Sequence, residues 1–295
     1  MVNQNKDYTV ISTFAGCGGS SLGYKWAGFR EILAIDFEKN ACDTFRLNFP
    51  EVPCWQRDIK DCTGQEILDF CKISKEELDV LDGSPPCQGF STAGKRNLND
   101  DRNDLFIEFV RLINELSPKV FVMENVSGMM KGGYKGKFNE ILKTLKDTGY
   151  NVKVKLMNAM WYEVPQSRER LIFIGVRNDL NIEPSYPEAG KKITTIKNIL
   201  PDVEKHHRGQ FDKKQKNSNT IGYTVTKTQS MMFIKNGCEV KPEINEIKKL
   251  CSFPENYKFT GNYNQQWARL GNAVMPKMMY HIAKNIKENI LDRTE

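Results

Sequence analysis

From residue 8 to about residue 176, short apolar runs alternate with stretches of helical period. The runs at 8–14, 31–35, 78–81, 119–123, 152–158 and 170–176 have the length and continuous apolar character of buried strands. Between them, Leu105, Phe109, Leu112, Ile113 and Leu116 recur at helical spacing, with Asn103 placed to cap the helix. That stripe reads as core. Alternating strands and helices predict the α/β class: repeated β-α units and a largely parallel sheet covered on both faces. After residue 177 the pattern changes. Prolines stand at 184, 187 and 201, a basic polar stretch runs from 205 to 216, and a β-rich stretch runs from 220 to 234. Helical period returns at 274–291, with Pro276 near its start. The expected organisation is a large domain, 1–177 plus 259–295, and a smaller lobe, 178–258.

Composition changes this picture little. The 295 residues carry 43 Lys and Arg against 37 Asp and Glu, a net charge of +6 that permits a polyanionic partner without requiring one. The eight cysteines form no Cys-x-x-Cys pair, and with three histidines they complete no zinc pattern, so no metal is expected. The first residues lack an apolar signal core and no run is long enough to span a bilayer. A cytoplasmic protein with reduced thiols is expected, without a membrane partner.

The candidate chemistry lies at strand ends. Cys87 follows the run 78–81 within Gly83-Ser84-Pro85-Pro86-Cys87-Gln88-Gly89, where two prolines stiffen the loop that presents the thiol. Taken alone, the segment is better read as an inert buried cysteine. The first strand runs into Phe14-Ala15-Gly16-Cys17-Gly18-Gly19-Ser20, a glycine-rich turn that lets backbone approach a ligand, and Asp36 ends the second strand, where it could hold ribose hydroxyls. Ser21 stands where a dinucleotide fingerprint has its third glycine, so a nucleoside without pyrophosphate fits at least as well. Glu124 follows the strand 119–123, and Arg168 and Arg170 precede the last strand at alternate positions that point the same way in extended chain. Each of these has a plain structural alternative in a cap, an ion pair or a surface arginine.

As an ordered set, the motifs resemble the DNA (cytosine-5)-methyltransferase family. They are Phe14-Ala15-Gly16-Cys17-Gly18-Gly19, Asp36, Asp58-Ile59, Pro86-Cys87-Gln88 with Phe90-Ser91 and Gly94-Lys95, Glu124-Asn125-Val126, Gln166-x-Arg168-x-Arg170, and Gly271-Asn272-Ala273-Val274. The resemblance covers nearly the whole chain. It implies a Rossmann-like methyltransferase sheet, a smaller target-recognition lobe and S-adenosylmethionine as methyl donor. It also implies that the Cys87 thiolate adds to C6 of cytosine, and that Glu124, with its pKa raised in a closed pocket, donates to N3. Arg168 and Arg170 would hold the base and keep Cys87 ionised. The cofactor pocket so implied comprises Phe14, Ala15, Gly16, Cys17, Gly18, Gly19, Asp36 on the ribose, Phe37 beside it, Asp58 and Ile59 at the adenine, Pro86, Leu105, Asn272 and Val274.

Double-stranded DNA is the implied partner, and the target base must be flipped out of the stack. The implied DNA contacts are Gln88, Ser91, Lys95 and Arg96 in the loop beside Cys87, then Gln166 and Thr226, with Lys205, His206, His207, Arg208, Lys213, Lys214 and Lys216 adding positive charge. A monomer with a cognate restriction endonuclease is the expected setting. Ser12 and Thr13 depart from the family, which commonly has an Asp-Leu pair there, and one cofactor-side polar contact is expected to differ. Three alternatives stay open: a tRNA cytosine methyltransferase, a non-catalytic DNA-binding relative, and a nicotinamide oxidoreductase resting on the glycine turn.

Overall fold

Seven strands form the larger of two sheets: β1 (Thr9–Thr13), β2 (Arg30–Asp36), β3 (Cys54–Gln56), β4 (Val80–Gly83), β5 (Val120–Val126), β6 (Tyr150–Asn158) and β7 (Glu169–Arg177), in the order β3-β2-β1-β4-β5-β7-β6. This is a computed structural model, and it describes residues 7–86, 104–130, 135–209 and 212–294. The first five strands are parallel, while β7 lies antiparallel to both β5 and β6. From β1 the chain steps outward to β2 and β3, then returns to the other side at β4. The order therefore reverses between β1 and β4, and open α/β sheets bind ligands at the carboxyl ends of such a pair.

Strand alternation sends side chains to two cores. Val10, Ala34, Val80, Val122, Ile172 and Ile174 line one face, under α1 (Gly19–Trp26) and the C-terminal helix. Ile11, Leu33, Leu81, Phe121, Leu171 and Phe173 line the other. Four helices complete the α/β layers: α2 (Lys39–Asn48), α3 (Gly64–Cys71), α4 (Asp104–Leu116) and α5 (Lys135–Lys146). In α4, Phe109, Leu112, Ile113 and Leu116 are fully buried, as their spacing predicted, and Leu105 is partly buried against them.

A second, four-stranded sheet follows: β8 (Lys205–His207), β9 (Lys216–Asn217), β10 (Met232–Lys235) and β11 (Cys238–Val240), antiparallel in the order β11-β10-β8-β9. Short helices α6 (Ile196–Ile199) and α7 (Ile244–Leu250) flank it, then α8 (Tyr263–Asn272) and α9 (Pro276–Asn289) close the chain. Met278, Met279, Ile282, Ala283 and Ile286 of α9 are buried, and α9 packs on α1.

All six strands read from the sequence are present, with ends shifted by up to three residues. β3 was not anticipated, because a three-residue edge strand carries too little periodicity to register. The stretch 220–234 proves mostly irregular, with strand only from Met232. Its backbone groups are satisfied instead by Gln166, Arg168 and Trp267, described below. Asn103, Cys87, Gln88, Ser91, Lys95 and Arg96 lie outside the described residues.

Candidate active site

On leaving β1 the backbone turns through left-handed conformations at Phe14 (φ 54°), Gly16 (φ 58°) and Gly18 (φ 84°). Phe14 has no glycine's freedom there, and such strain concentrates where a loop must hold a special shape. At Gly19 a Cβ would stand 2.2 Å from the Val274 carbonyl oxygen, so only glycine lets the chain's far end close on this turn. The turn is pinned by Asp36, whose Oδ2 accepts from Gly16 N at 2.7 Å and whose Oδ1 accepts from Glu38 N at 2.8 Å. Burial raises the Asp36 pKa, and these two N–H donors oppose the rise. Next to it, the Phe37 ring is 73% exposed. Asp58 caps the turn at Ile59–Asp61 by accepting from Lys60 N at 3.0 Å, and Ile59 is buried. Pro86 is half-buried, Asn272 exposed and Val274 buried.

One cofactor-side expectation changes. The Cys17 side chain is buried in the core, its thiol directed at the Arg269 carbonyl at 3.7 Å and its pKa pushed up to about 12 by burial. Its carbonyl is taken by the Tyr257 hydroxyl. Cys17 thus anchors the turn from behind.

On the base side, Glu124 and Arg170 meet across β5 and β7, with Nε 2.6 Å from Oε1 and both side chains largely covered. Asn125 donates through Nδ2 to the Pro85 carbonyl at 3.3 Å, tying β5 to the segment that leads to Cys87 in the chain.

Arg168, two residues before Arg170, was expected beside the base; it lies within electrostatic reach of Glu124 and Arg170, and its bonds go to backbone. Its guanidinium is 2% exposed and donates to three backbone carbonyls, Val225 at 2.9 Å, Gly271 at 3.1 Å and Ala273 at 3.0 Å. Gln166, expected to touch DNA, is fully buried and does similar work, donating to the Leu250 carbonyl at 2.8 Å and accepting from Val225 N at 3.0 Å. Trp267 donates to the Thr226 carbonyl at 2.9 Å, and at Gly271 a Cβ would lie 2.3 Å from that same carbonyl. These contacts join segment 225–226, the 271–274 motif and the start of β7. The cause is backbone accounting: beyond the single bridge of Gly222 to Gln166, segment 223–228 has no strand partner among the described residues, so its buried N–H and C=O groups need side chains. The Thr226 hydroxyl donates to the Thr228 carbonyl at 2.9 Å and remains partly accessible.

In the small lobe, His206 is buried and its pKa falls to about 4 through desolvation, helped by Lys216 and His207, so it does not supply the positive charge expected of it. His207 is also buried and bonds Glu239 at 2.9 Å. Three cations of this region sit over rings: Arg208 and Lys216 over Tyr223 at 5.1 and 4.1 Å, and Lys241 over Tyr263 at 3.9 Å. A cleft of about 450 Å³ nearby is lined by Lys213, Gln229, Ser230, Lys241 and Trp267, among others, and among the described residues by none of Glu124, Arg168 and Arg170.

Two buried acids escaped the sequence reading. Asp82 on β4 accepts from Ser20 Oγ at 2.7 Å and Tyr24 Oη at 3.3 Å, and burial pushes its pKa up to about 7. Glu31 on β2 accepts from Ser21 Oγ at 2.9 Å and is pushed up to about 8. The available signal was Asp82 itself, an acid within an otherwise apolar strand five residues before Cys87.

The family model for C-5 cytosine-specific DNA methylase matches residues 8–243 and 241–288. The chain is 32% identical to the Type II methyltransferase M1.HphI of Haemophilus parahaemolyticus, over 94% of this chain and 86% of that protein. It is 29% identical to the Type II methyltransferase M.NgoPII of Neisseria gonorrhoeae, over 95% and 96%. The Entamoeba histolytica methyltransferase EhMeth has a similar fold, with a TM-score of 0.74 at 18% identity, covering 99% of this chain and all of that one. With its glycine turn, Glu124–Arg170 pair and 271–274 motif assembled on one sheet edge, the chain belongs to the C-5 cytosine-specific DNA methylase family.

Proposed function

We propose that this enzyme transfers a methyl group from S-adenosylmethionine to C5 of a flipped-out cytosine within a short specific sequence of double-stranded DNA, in a restriction-modification setting like that of its Type II relatives. The observation that carries the site assignment is the Glu124–Arg170 pair at 2.6 Å, on the strand that Asn125 ties to Pro85, two residues before Cys87.

The cofactor side suits a sulfonium nucleoside. Asp36 is fixed at the turn to receive ribose hydroxyls, and the exposed Phe37 ring offers a face for adenine. When bound, S-adenosylmethionine supplies an electrophilic methyl group. The Cys87 thiolate adds to C6 of cytosine, and the electron pair pushed into the ring makes C5 nucleophilic. Glu124 donates to N3 as charge gathers there, and Arg170 orients that carboxyl and meets the base. After C5 is methylated, loss of its proton returns the electron pair and expels the thiolate. Arg168 and Gln166 hold segment 225–226 and the 271–274 motif rather than the base. Extruding the cytosine costs a few kcal/mol, offset by contacts from the small lobe and the loop beside Cys87, including Gln88, Ser91, Lys95 and Arg96.

The test is labelled methyl transfer to matched DNA and tRNA, followed by bisulfite sequencing of the DNA and trapping on 5-fluorocytosine DNA. Transfer to DNA with a Cys87 adduct is expected; transfer to tRNA alone overturns the substrate assignment.

A further inference from the structure

Two carboxyls lie in the core beneath α1 with hydroxyls as their bonded partners. The Asp82 and Glu31 contacts are Ser20, Tyr24 and Ser21, all three of them buried residues of α1. That helix begins directly after the glycine turn. It has Gly18 at its N-cap, no capping side chain and no acid in its first turn, so its start is held by the serines that reach down to the sheet. Asp82 is bound in the other direction too. Its carbonyl accepts from Thr13 Oγ1 at 3.0 Å, its residue pairs with Ser12 of β1, and one residue later begins the Gly83–Pro86 segment that precedes Cys87.

We infer that Asp82 is a positioning residue for methyl transfer: its side chain holds the start of α1 behind the cofactor turn while its backbone leads to the loop of the nucleophile, fixing donor and acceptor relative to each other. This rests on the methyltransferase function proposed above. A carboxylate accepts both hydroxyl bonds, whereas the neutral acid must use one oxygen as a donor and loses part of that grip. The groups facing it are Ser20 and Tyr24 from α1, Thr13 from β1 and, through space, Glu124 from β5; Glu31 from β2 faces the same helix. With burial placing its titration at about 7, cofactor affinity is expected to rise as pH climbs through neutrality.

The experiment compares wild type, Asp82→Asn and Ser20→Ala from pH 6 to 9. It measures KM for S-adenosylmethionine, kcat, and calorimetric affinity for S-adenosylhomocysteine. Wild type should bind several-fold tighter at pH 8 than at pH 6. Asp82→Asn should flatten that profile and raise KM about tenfold at pH 8, roughly 1.4 kcal/mol. Ser20→Ala should weaken binding similarly, with no further loss in the double variant. An active wild type whose KM and pH profile Asp82→Asn reproduces overturns the positioning role alone. A wild type that transfers no methyl group and binds no S-adenosylhomocysteine overturns the methyltransferase assignment beneath it.

Discussion

The two sides of the sheet edge hold their acids in opposite ways. On the base side, Glu124 faces a guanidinium at 2.6 Å. On the other side, Asp36 at the end of β2 is held by backbone N–H groups, and Asp82 on β4 by hydroxyls. An ion pair suits a place where charge comes and goes on a substrate ring, because the cation holds the carboxyl in place whichever way the proton moves. Acids bonded only to neutral donors suit a place where a turn and a helix start must be held in shape. The difference implies that damage on one side should leave the other's binding intact.

The strongest break is Cys87→Ser, which should lower turnover at least 10³-fold, since the weaker serine nucleophile must add to C6. Calorimetry with S-adenosylhomocysteine should show affinity within about twofold of wild type. Unchanged turnover would remove Cys87 from its role, and lost cofactor binding would show that the two sides are not separable.

Next comes the contrast between the two arginines of one motif. Arg170→Ala removes the partner of Glu124 and should cut kcat about 10²-fold while moving Tm little. Arg168→Ala strips donors from three buried carbonyls, at about 3 kcal/mol or more, and should lower Tm by roughly 6 °C or more. Thermal melts alongside steady-state kinetics separate the two. Equal melts for both variants would contradict the assignment of Arg168 to the joint between the small lobe and the 271–274 motif.

Those arginines also show what the sequence can convey. Alternation put Arg168 and Arg170 two apart at the start of β7, and the structure bonds one to backbone carbonyls and the other to Glu124. What periodicity could not convey was that segment 223–228 runs without a strand partner among the described residues, a fact that makes Arg168 and Gln166 donors to its backbone or its neighbours'. Nor could it show that His206 would be buried under Tyr223 and neutral, since a basic-looking run declares charge without burial. Asp82 and Glu31 went unread for a related reason: their hydroxyl partners lie 62 and 10 residues away, joined only by the fold.

The cofactor side can be sharpened through stability. The Asp82 pKa stands near 7 in the folded chain against an ordinary 3.8, so the folded form holds a proton that the unfolded chain has released. Its stabilising contribution is therefore complete below about pH 4 and is lost as pH rises to about 7, then stays constant. Asp82→Asn escapes this loss. At pH 8 the variant should be more stable than wild type by a few kcal/mol at most, with the gap closing toward pH 4, as chemical denaturation across pH would show. Greater stability with poorer cofactor affinity would mark Asp82 as kept for function. A gap that does not change with pH would mean that Asp82 does not titrate as described.

The smallest effect belongs to Phe37, 73% exposed at the end of β2. An exposed ring contributes little to the fold, so Phe37→Ala should move Tm by no more than about 1 °C. If the ring covers adenine, its loss removes roughly 1 kcal/mol of stacking, a rise in KM for S-adenosylmethionine of about fivefold, with kcat unchanged because the contact is equal in ground and transition states. The same variant should leave Cys87 trapping on 5-fluorocytosine DNA unaffected at saturating cofactor. An unchanged KM would take Phe37 out of the pocket, and a fall in kcat at saturation would show that the cofactor side reaches the base chemistry after all.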